Sequence, residues 1–480
     1  METAARVLAI TPSLRYTPTL HYRCSRAIIV MQTSTPDIAN PLTTCDVLVV
    51  GGGPAGSAIS ALLAEKGWDV HVLEKDHHPR FHIGESLLPH SLPILQRLGV
   101  LPEVEKIGIT KYGAEIVSPY HGRSRTLYFS KALDGSQPFS YEVKRAEFDK
   151  ILIDNAVSKG VRLHEGVRAK RVEFRQDSTH LVQAEDRTGN AVGYEAKFVV
   201  DASGRDTFLS GQFGGKYRNP SHNSAAVFGH FEGVRRLPGK DEGNISIVWF
   251  DHGWWWIIPF KDGTTSVGAV CWPSYISTRK VPLEQFLWDT ITLCAPVAER
   301  MTKATLIGQA YAAANYSYRR STMRGDGYLM VGDAFAFIDP VFSSGVHLAL
   351  NSAGLGAEVV DAYLRKSPAY QRSAQEFERT VRLGVKTYSW FIYHFTQPAF
   401  RNLFMSEGSK FKMEEAILSI LAGDAFGKSP TRLPIFLFKI AYYLVYLFNF
   451  RENWAAFQRR TRGVPETVTT LKDYAIHDRR

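Results

Sequence analysis

A glycine-rich turn between two short apolar runs limits the possible folds of this chain more than any other feature. Residues 45–50 read CDVLVV, which has the length and composition of a buried strand, and GGGPAG follows at 51–56. Residues 57–66 then place Ala, Ile and Leu at helical spacing, and a second apolar run ends at Glu74. A strand, a turn, a helix and a second strand in this order predict a βαβ unit.

Each glycine of the motif has a physical reason to be a glycine. Gly51 permits the tight turn, Gly53 lets a pyrophosphate approach the backbone, and Gly56 brings helix and strand close together. The helix N-terminus then faces the anion. Glu74 follows the turn near the spacing of about 20 residues expected for a ribose-binding carboxylate. The motif predicts dinucleotide binding, without separating NAD from FAD, by Gly51, Gly53, Pro54, Ala55, Gly56 and Glu74.

Two later segments resemble the first strand and its turn. FVVDASG at 198–204 and YLMVGD at 328–333 are apolar runs that end in Gly and Asp, whereas the stretch from about 110 to 320 is rich in alternating apolar and polar residues. Alternation predicts a mostly antiparallel sheet. We therefore expect an α/β fold in which a substrate sheet interrupts a Rossmann-like nucleotide-binding domain. The expected segments are a disordered or mis-started extension at 1–44, nucleotide-binding parts at 45–110, 146–215 and 321–355, sheet parts at 111–145 and 216–320, and a helical region at 356–480.

Composition excludes some classes of protein without naming a partner. The chain has 480 residues, 45% of them hydrophobic and 12% aromatic, which is ample material for a folded core. A net charge of +10 permits an acidic partner, an anionic cofactor or a phospholipid surface, and we find no nucleic-acid motif. Four scattered Cys favour a reducing compartment and argue against a disulfide framework or a bound metal.

The two ends of the chain each leave alternatives open. Residues 1–30 carry four Arg, six Ser or Thr and one acid, which is typical of an organelle transit peptide. We favour an over-long start, with Met31 as the true beginning and a cytoplasmic location. Residues 433–450 are apolar except for Lys439 and Asn449. We expect here a helix packed over the substrate cavity, ahead of a peripheral membrane contact and of a membrane span.

Further residues give the chain a resemblance to the FAD-dependent monooxygenase superfamily. GDA at 332–334 looks like that superfamily's second FAD motif, in which the Asp binds the ribityl chain, so the resemblance assigns that role to Asp333. DASG at 201–204 matches a strand end placed near the cofactor, and Arg145 lies where a family Arg often contacts it. The resemblance covers residues 46 to about 355 and implies bound FAD.

A run of three tryptophans narrows the resemblance to flavin-dependent halogenases. WWWIIP at 254–259 fits the pattern WxWxIP that marks this family. The resemblance implies that the three indoles, Trp254 and Trp256 above all, wall the flavin off from the organic substrate while a small halide ion still reaches it. A buried aromatic strand without that role is the alternative interpretation, and it suits any member of the superfamily.

Two more segments match the halogenase pattern. DPVFSSGV at 339–346 corresponds to the turn that holds the halide, which assigns halide binding to Ser344 and Gly345 at a helix start. Lys111, in TKYGAEI, matches the catalytic lysine that hydrogen-bonds hypohalous acid or becomes a haloamine. Burial would lower the pKa of such a lysine. Lys144 is the alternative candidate.

One departure from the family pattern bears on the substrate. Tryptophan halogenases carry a Glu immediately before the Ser-Thr-Gly equivalent of 343–345, and this chain carries Phe342. We therefore expect the branch that acts on phenols and pyrroles, which are often bound to a carrier protein, rather than on free tryptophan. The resemblance implies a reaction of FADH2, O2 and chloride or bromide, with a separate flavin reductase. An FAD-dependent aromatic hydroxylase, a polyprenyl reductase and a flavin-binding protein without catalysis are the alternatives.

Overall fold

The structure is a computed structural model that describes residues 42–176, 179–214, 216–219, 224–314, 317–406, 412–426 and 430–461. The expected extension therefore lies outside the described residues up to residue 41, and so does the alternative start at Met31. The first strand begins at Thr43, slightly before the expected Cys45.

The described strands are named in chain order. They are β1 Thr43–Val50, β2 Val70–Glu74, β3 Ile109–Lys111, β4 Gly113–Ser118, β5 Arg123–Tyr128, β6 Ser140–Glu142, β7 Arg162–Glu165, β8 Arg168–Phe174, β9 His180–Glu185, β10 Ala191–Asp201, β11 Lys216–Arg218, β12 Ala225–Glu232, β13 Ile245–Phe250, β14 Gly253–Pro259, β15 Thr265–Cys271, β16 Thr305–Ala314, β17 Tyr318–Arg320, β18 Arg324–Gly325, β19 Tyr328–Met330 and β20 Ala336–Phe337.

The described α-helices follow the same convention. They are α1 Pro54–Glu65, α2 Leu92–Leu98, α3 Leu101–Ile107, α4 Arg145–Ser158, α5 Phe208–Phe213, α6 Pro273–Ile276, α7 Leu283–Thr292, α8 Ala295–Arg300, α9 Ser344–Leu364, α10 Tyr370–His394, α11 Pro398–Met405, α12 Met413–Ala422, α13 Arg432–Phe448 and α14 Phe450–Thr461.

The first sheet has a parallel centre with the order β19-β10-β1-β2-β7. The second half of β1 is a continuous apolar run because both of its faces are covered, and Val47, Leu48 and Val49 are fully buried. Helix α1 packs against α4 and α9. The parallel strands come from separate stretches of the chain, so the chain leaves this sheet and returns to it. Their carboxyl ends lie at one edge, which is where open α/β sheets bind ligands.

The second sheet has seven strands in the order β16-β12-β15-β14-β13-β4-β5. Its neighbours pair antiparallel except for β13 and β4, which are parallel. The expected segment 111–145 does not enter this sheet as one piece. β4 and β5 belong to it, whereas β3 and β6 pair only with each other. The interleaved division into domains stays our proposal, supported by this return of the chain to the first sheet.

Helices occupy the described chain from α9 to α14, and aromatic side chains join them to the second sheet. One hydrophobic cluster contains Trp249, Trp254 and Trp256 from the sheet together with Phe391 and Phe438 from the helices. Within the described residues, no single helix has both the length and the apolarity to cross a membrane. Helices α13 and α14 pass that test only as a pair, which is bent by 95°.

Candidate functional site

The glycine turn lies between the carboxyl end of β1 and the start of α1. Gly51 has a φ of +104°, and a Cβ there would lie 2.5 Å from the Ala202 carbonyl oxygen. A Cβ on Gly56 would lie 1.8 Å from the Gly51 carbonyl oxygen. Near Gly53, by contrast, only the Arg80 guanidinium comes within 4 Å of such a Cβ. Two glycines therefore pack the turn, and the third leaves its backbone open to a ligand.

The end of β2 supplies the carboxylate expected beside this turn. The Glu74 Oε2 accepts a hydrogen bond from the Gly52 amide at 2.8 Å, and its Oε1 accepts one from the Asp76 amide at 3.0 Å. The Arg80 guanidinium also donates to Oε2 at 3.4 Å, so Oε1 is the oxygen that keeps a lone pair for a ribose hydroxyl. Helix α1 begins at Pro54 without a side-chain cap, which leaves its first amides free for an anion. These residues fit the pyrophosphate and ribose of FAD.

The second expected FAD motif follows β19 as a short helical turn, Gly332–Ala334. Burial raises the pKa of the Asp333 carboxyl to about 6, while Arg205 and Arg145 act in the opposite direction. The Arg145 guanidinium donates to Asp149 at 2.8 and 3.0 Å and to the Ile83 carbonyl at 2.7 Å. Arg145 and Asp333 are thus close enough to interact electrostatically, and contact of Arg145 with the cofactor stays a prediction.

The Asp of the DASG segment supports the backbone. Both oxygens of Asp201 accept hydrogen bonds, one from the Ser203 amide and hydroxyl and the other from the Leu209 amide at 2.8 Å. Ala202 is the residue that Gly51 and Gly56 approach. This segment therefore packs directly against the glycine turn and supports its backbone.

The expected halide turn lies at the start of α9, after the turn Pro340–Phe342. Ser344 is buried, and a Cβ on Gly345 would meet no atom within 4 Å. The first turn of a helix presents unpaired amides to a space of this kind. Burial raises the pKa of the neighbouring Asp339 carboxyl to about 7. In its neutral form Asp339 does not repel an anion.

Lys111 is only 1% exposed, at the end of β3. Its Nζ donates to the Ser86 Oγ at 2.6 Å and lies 3.4 Å from the Glu142 Oε1. The Phe129 ring centroid is 5.6 Å away. Burial lowers the pKa of Lys111, and the charge of Glu142 opposes that change. A buried lysine that contacts a carboxylate and has a lowered pKa is typical of a functional site.

A carboxyl-rich cluster surrounds Lys111. The Ser86 hydroxyl donates to the Glu142 Oε1 at 3.2 Å, and burial raises the pKa of Glu142 to about 7 against the effects of Lys111 and Ser86. Glu85 is also buried, and its Oε1 lies 2.7 Å from the Nε2 of the half-buried His230. The sequence did not point to Glu142 or His230. Only the pairing of β3 with β6 brings Glu142, which is distant in the chain, beside Lys111.

Lys144, the alternative catalytic lysine, lies in a different environment. Its side chain keeps 27% of its surface exposed and forms an ion pair with Asp262. Its Nζ is 5.7 Å from the Phe260 ring centroid, at a small surface cavity. The contacts of this lysine are those of a solvated surface group, so the environment favours Lys111.

The three tryptophans of β14 divide between the two faces of the sheet. Trp254 and Trp256 share one face, with ring centroids 6.0 Å apart, and belong to the same cluster as Val341 and Phe342 beside the expected halide turn. Trp255 is fully buried in a separate cluster on the other face. Side chains alternate along a strand, so three adjacent indoles cannot all form one wall. Trp254 and Trp256 are the pair on the side expected for the flavin.

Comparison with known proteins identifies the family of this chain. The family model described as tryptophan halogenase matches residues 122–402, more than half of the chain, and a model of an NAD(P)-binding Rossmann-like domain matches residues 49–90. A 1H-pyrrole-2-carbonyl-(peptidyl-carrier protein) chlorinase of Pseudomonas fluorescens is 30% identical over 405 residues, which are 79% of this chain and 89% of that protein. The chain belongs to the flavin-dependent halogenase family. It is an FAD-dependent enzyme, and the predicted family and fold class are confirmed.

Two further relatives show how broad this family is. A tryptophan 2-halogenase of Chondromyces crocatus is 36% identical over 325 residues, which are 66% of this halogenase and 61% of that protein. The solved structure of the myxobacterial chondrochloren halogenase has a TM-score of 0.71 and 32% identity, and the match covers 85% of this chain and 97% of that one. Relatives named for a pyrrole and for tryptophan both match this chain, so membership of the family does not select the substrate.

Proposed function

We propose that this halogenase chlorinates or brominates an electron-rich aromatic ring, phenolic or pyrrolic, and that Lys111 activates the halogen for transfer. The observation that carries the proposal is the position of Lys111. Its ammonium is withdrawn from solvent and held by Ser86 and Glu142. Burying a charged lysine is unfavourable unless partners offset its desolvation. A lysine without a function would therefore more often lie at the surface, in contact with solvent.

The cofactor residues act as a binding frame in this proposal. Gly51, Gly53 and the start of α1 would hold the pyrophosphate, with Glu74 at the ribose and Asp333 at the ribityl chain. Bound in its reduced form, FAD would activate O2, which would take two electrons from the flavin and two from the halide, so that FADH2, O2, X⁻ and H⁺ give FAD, HOX and H2O. Ser344 and Gly345 would hold the halide, while Trp254 and Trp256 keep the organic substrate away from the flavin.

The chain's own proton transfers follow from the cluster at Lys111. The ammonium donates a hydrogen bond to the oxygen of hypohalous acid, and the halogen passes to a ring carbon as that oxygen leaves as water with the lysine proton. The ring then loses its proton, so the sum is ArH + HOX giving ArX + H2O. Glu142 can accept a proton and return it to Lys111, since its pKa of about 7 lies near the operating range.

The identity of the ring rests on Phe342. This residue is buried against Phe395, with ring centroids 5.4 Å apart, in the place where tryptophan halogenases carry a Glu. A phenol or pyrrole supplies its own electron density and does not need that carboxylate. The pyrrole chlorinase relative acts on a carrier-bound ring, which supports presentation by a carrier protein. We also propose a separate flavin reductase and a cytoplasmic location.

Mass spectrometry of reaction products tests this function. The halogenase is incubated with FADH2, O2 and bromide, together with free phenols, a free pyrrole, the pyrrole on a peptidyl carrier protein, and tryptophan. We expect bromine in a phenolic or pyrrolic product and none in tryptophan. Oxygen insertion or alkene saturation without bromine would instead indicate a hydroxylase or a polyprenyl reductase. Brominated tryptophan as the main product would contradict the substrate assignment.

A further inference from the structure

Helix α13 has an apolar face that no other described residue covers. The side chains of Phe436, Leu447 and Phe448 are 60%, 63% and 87% exposed. Exposed large apolar residues recur at the three- and four-residue spacing that places them on one side of a helix. This outer face consists of Leu433, Phe436, Ile440, Leu444, Leu447 and Phe448.

The opposite side of α13 already fills the core. Phe438 and Tyr442 are buried, and their rings lie 6.3 and 5.4 Å from the ring of Trp390. The inner side is enough to attach the helix to the domain, so the outer face is not needed for that packing. A continuous exposed apolar patch of this kind marks an interaction surface.

The charges around the helix show what kind of surface fits it. Lys439 is drawn away from the outer face, with its Nζ 4.7 Å from the Trp390 ring centroid. Arg432 and Arg451 are exposed at the two ends of the helix. The outer face is thus uncharged along its length and flanked by cations, and Glu452 is the single acid between residues 430 and 461.

We propose that the outer face of α13 inserts into the surface of an anionic lipid bilayer, with the helix lying in the plane of the membrane. Bulky apolar side chains enter the acyl boundary, and the flanking arginines meet acidic headgroups. A protein partner such as an acidic carrier would more readily match charges interspersed with the apolar residues. The helix is also too short to span, since 17 residues cover about 25 Å and the hydrocarbon core measures about 30 Å.

The bend after α13 agrees with this orientation. Helix α14 turns away by 95°, so the apolar path does not continue through the bilayer. Phe450 and Trp454 at its start are 43% and 42% exposed and lie next to the outer face in the chain. Aromatic side chains of this type favour the membrane–water interface. The inference is independent of the halogenation chemistry, because it concerns where the enzyme sits.

Vesicle flotation with the full-length FAD-loaded enzyme tests the proposal. Vesicles are made of phosphatidylcholine alone or of phosphatidylcholine with phosphatidylserine as the minor lipid. We expect the enzyme to float with the anionic vesicles and more weakly with the neutral ones. The variant Phe436→Ser/Leu444→Ser/Leu447→Ser should lose most of its partitioning. The matched control, Phe213→Ser/Leu293→Ser/Ile307→Ser, removes three exposed apolar side chains elsewhere and should float like the wild type.

A single substitution and a measurement of molecular mass in solution, which detects a dimer or a protein complex, complete the test. Phe448→Asp changes a side chain that is 87% exposed, so it should reduce flotation without unfolding the enzyme, as FAD content and circular dichroism would verify. Absence of flotation by the wild type, or full flotation by both outer-face variants, would overturn the proposal. So would a dimer, or a complex with an acidic carrier protein, that forms in solution and is abolished by the same variants while vesicle binding persists.

Discussion

Lys111 and Lys144 are the same residue type in opposite environments. Lys111 is buried among Ser86, Glu142 and Phe129, whereas Lys144 lies at the surface and pairs with the half-exposed Asp262. Burial lowers the pKa of Lys111, and a buried carboxylate opposes that shift. This difference in environment is the reason for proposing Lys111, rather than Lys144, as the halogen-transfer group.

Replacing each lysine in turn should give the largest difference in halogenation rate between the two positions. Lys111→Ala should lower the rate of halogenated product formation at least about 100-fold, because a positioned proton donor contributes that much or more. Lys144→Ala should leave the rate nearly unchanged. Product formation is measured by mass spectrometry, with FAD content as the control. Halogenation by the Lys111 variant at the wild-type rate would remove this residue from the mechanism.

Glu142→Gln should produce the next strongest effect, because the charge of Glu142 raises the pKa of Lys111. Without it, the pKa of Lys111 falls further, and the ammonium form disappears at lower pH. If the ammonium transfers the halogen, the alkaline limb of the rate–pH profile shifts to lower pH by about one unit or more. The check is a complete profile of both enzymes. An unshifted limb with only a uniformly lower rate would mean that Glu142 has a structural role.

Ser86→Ala should lower the halogenation rate less than the two preceding substitutions, since it removes one hydrogen bond to Lys111 and leaves the ion pair in place. A net loss of about 1 kcal/mol corresponds to a rate about five-fold lower. Ser140→Ala is the matched control. Ser140 is buried on β6 opposite Lys111, and its hydroxyl has no hydrogen-bond partner among the described residues. Equal losses for the two variants would contradict a specific contribution from Ser86.

The smallest effect is expected for the free energy of unfolding when the surface residue Lys144 is replaced. Lys144→Ala should change the free energy of unfolding by less than about 1 kcal/mol, since solvent screens an exposed ion pair. Glu142→Ala, in contrast, leaves the Lys111 ammonium buried without its partner and should cost about 3–5 kcal/mol. Urea unfolding at fixed FAD concentration measures both. A loss for Lys144→Ala as large as that for Glu142→Ala would show that the surface pair is not simply solvated.

Local motifs were enough to predict where the glycine turn and the two acidic residues lie relative to the strands, and their roles in cofactor binding stay predictions. The glycine turn follows β1, Glu74 ends β2 and Asp333 follows β19, and each motif is a short continuous segment whose spacing reflects backbone geometry. The catalytic role of Lys111, in contrast, was predicted from the resemblance to the family. The alternation of side chains along a strand would have identified Trp255 as the indole that faces away from Trp254 and Trp256.

The amino-acid pattern alone specifies the dinucleotide turn, the family and the aromatic strand, because these depend on neighbouring residues. The surroundings of Lys111 depend instead on the tertiary structure. Glu142 reaches it through the pairing of β3 and β6, and His230 lies beside Glu85 from a distant strand of the second sheet. The exposure of the outer face of α13 has the same origin, since an apolar run of this length also suits a buried helix. Burial and charge pairing are properties of contacts between distant segments, and no local pattern encodes them.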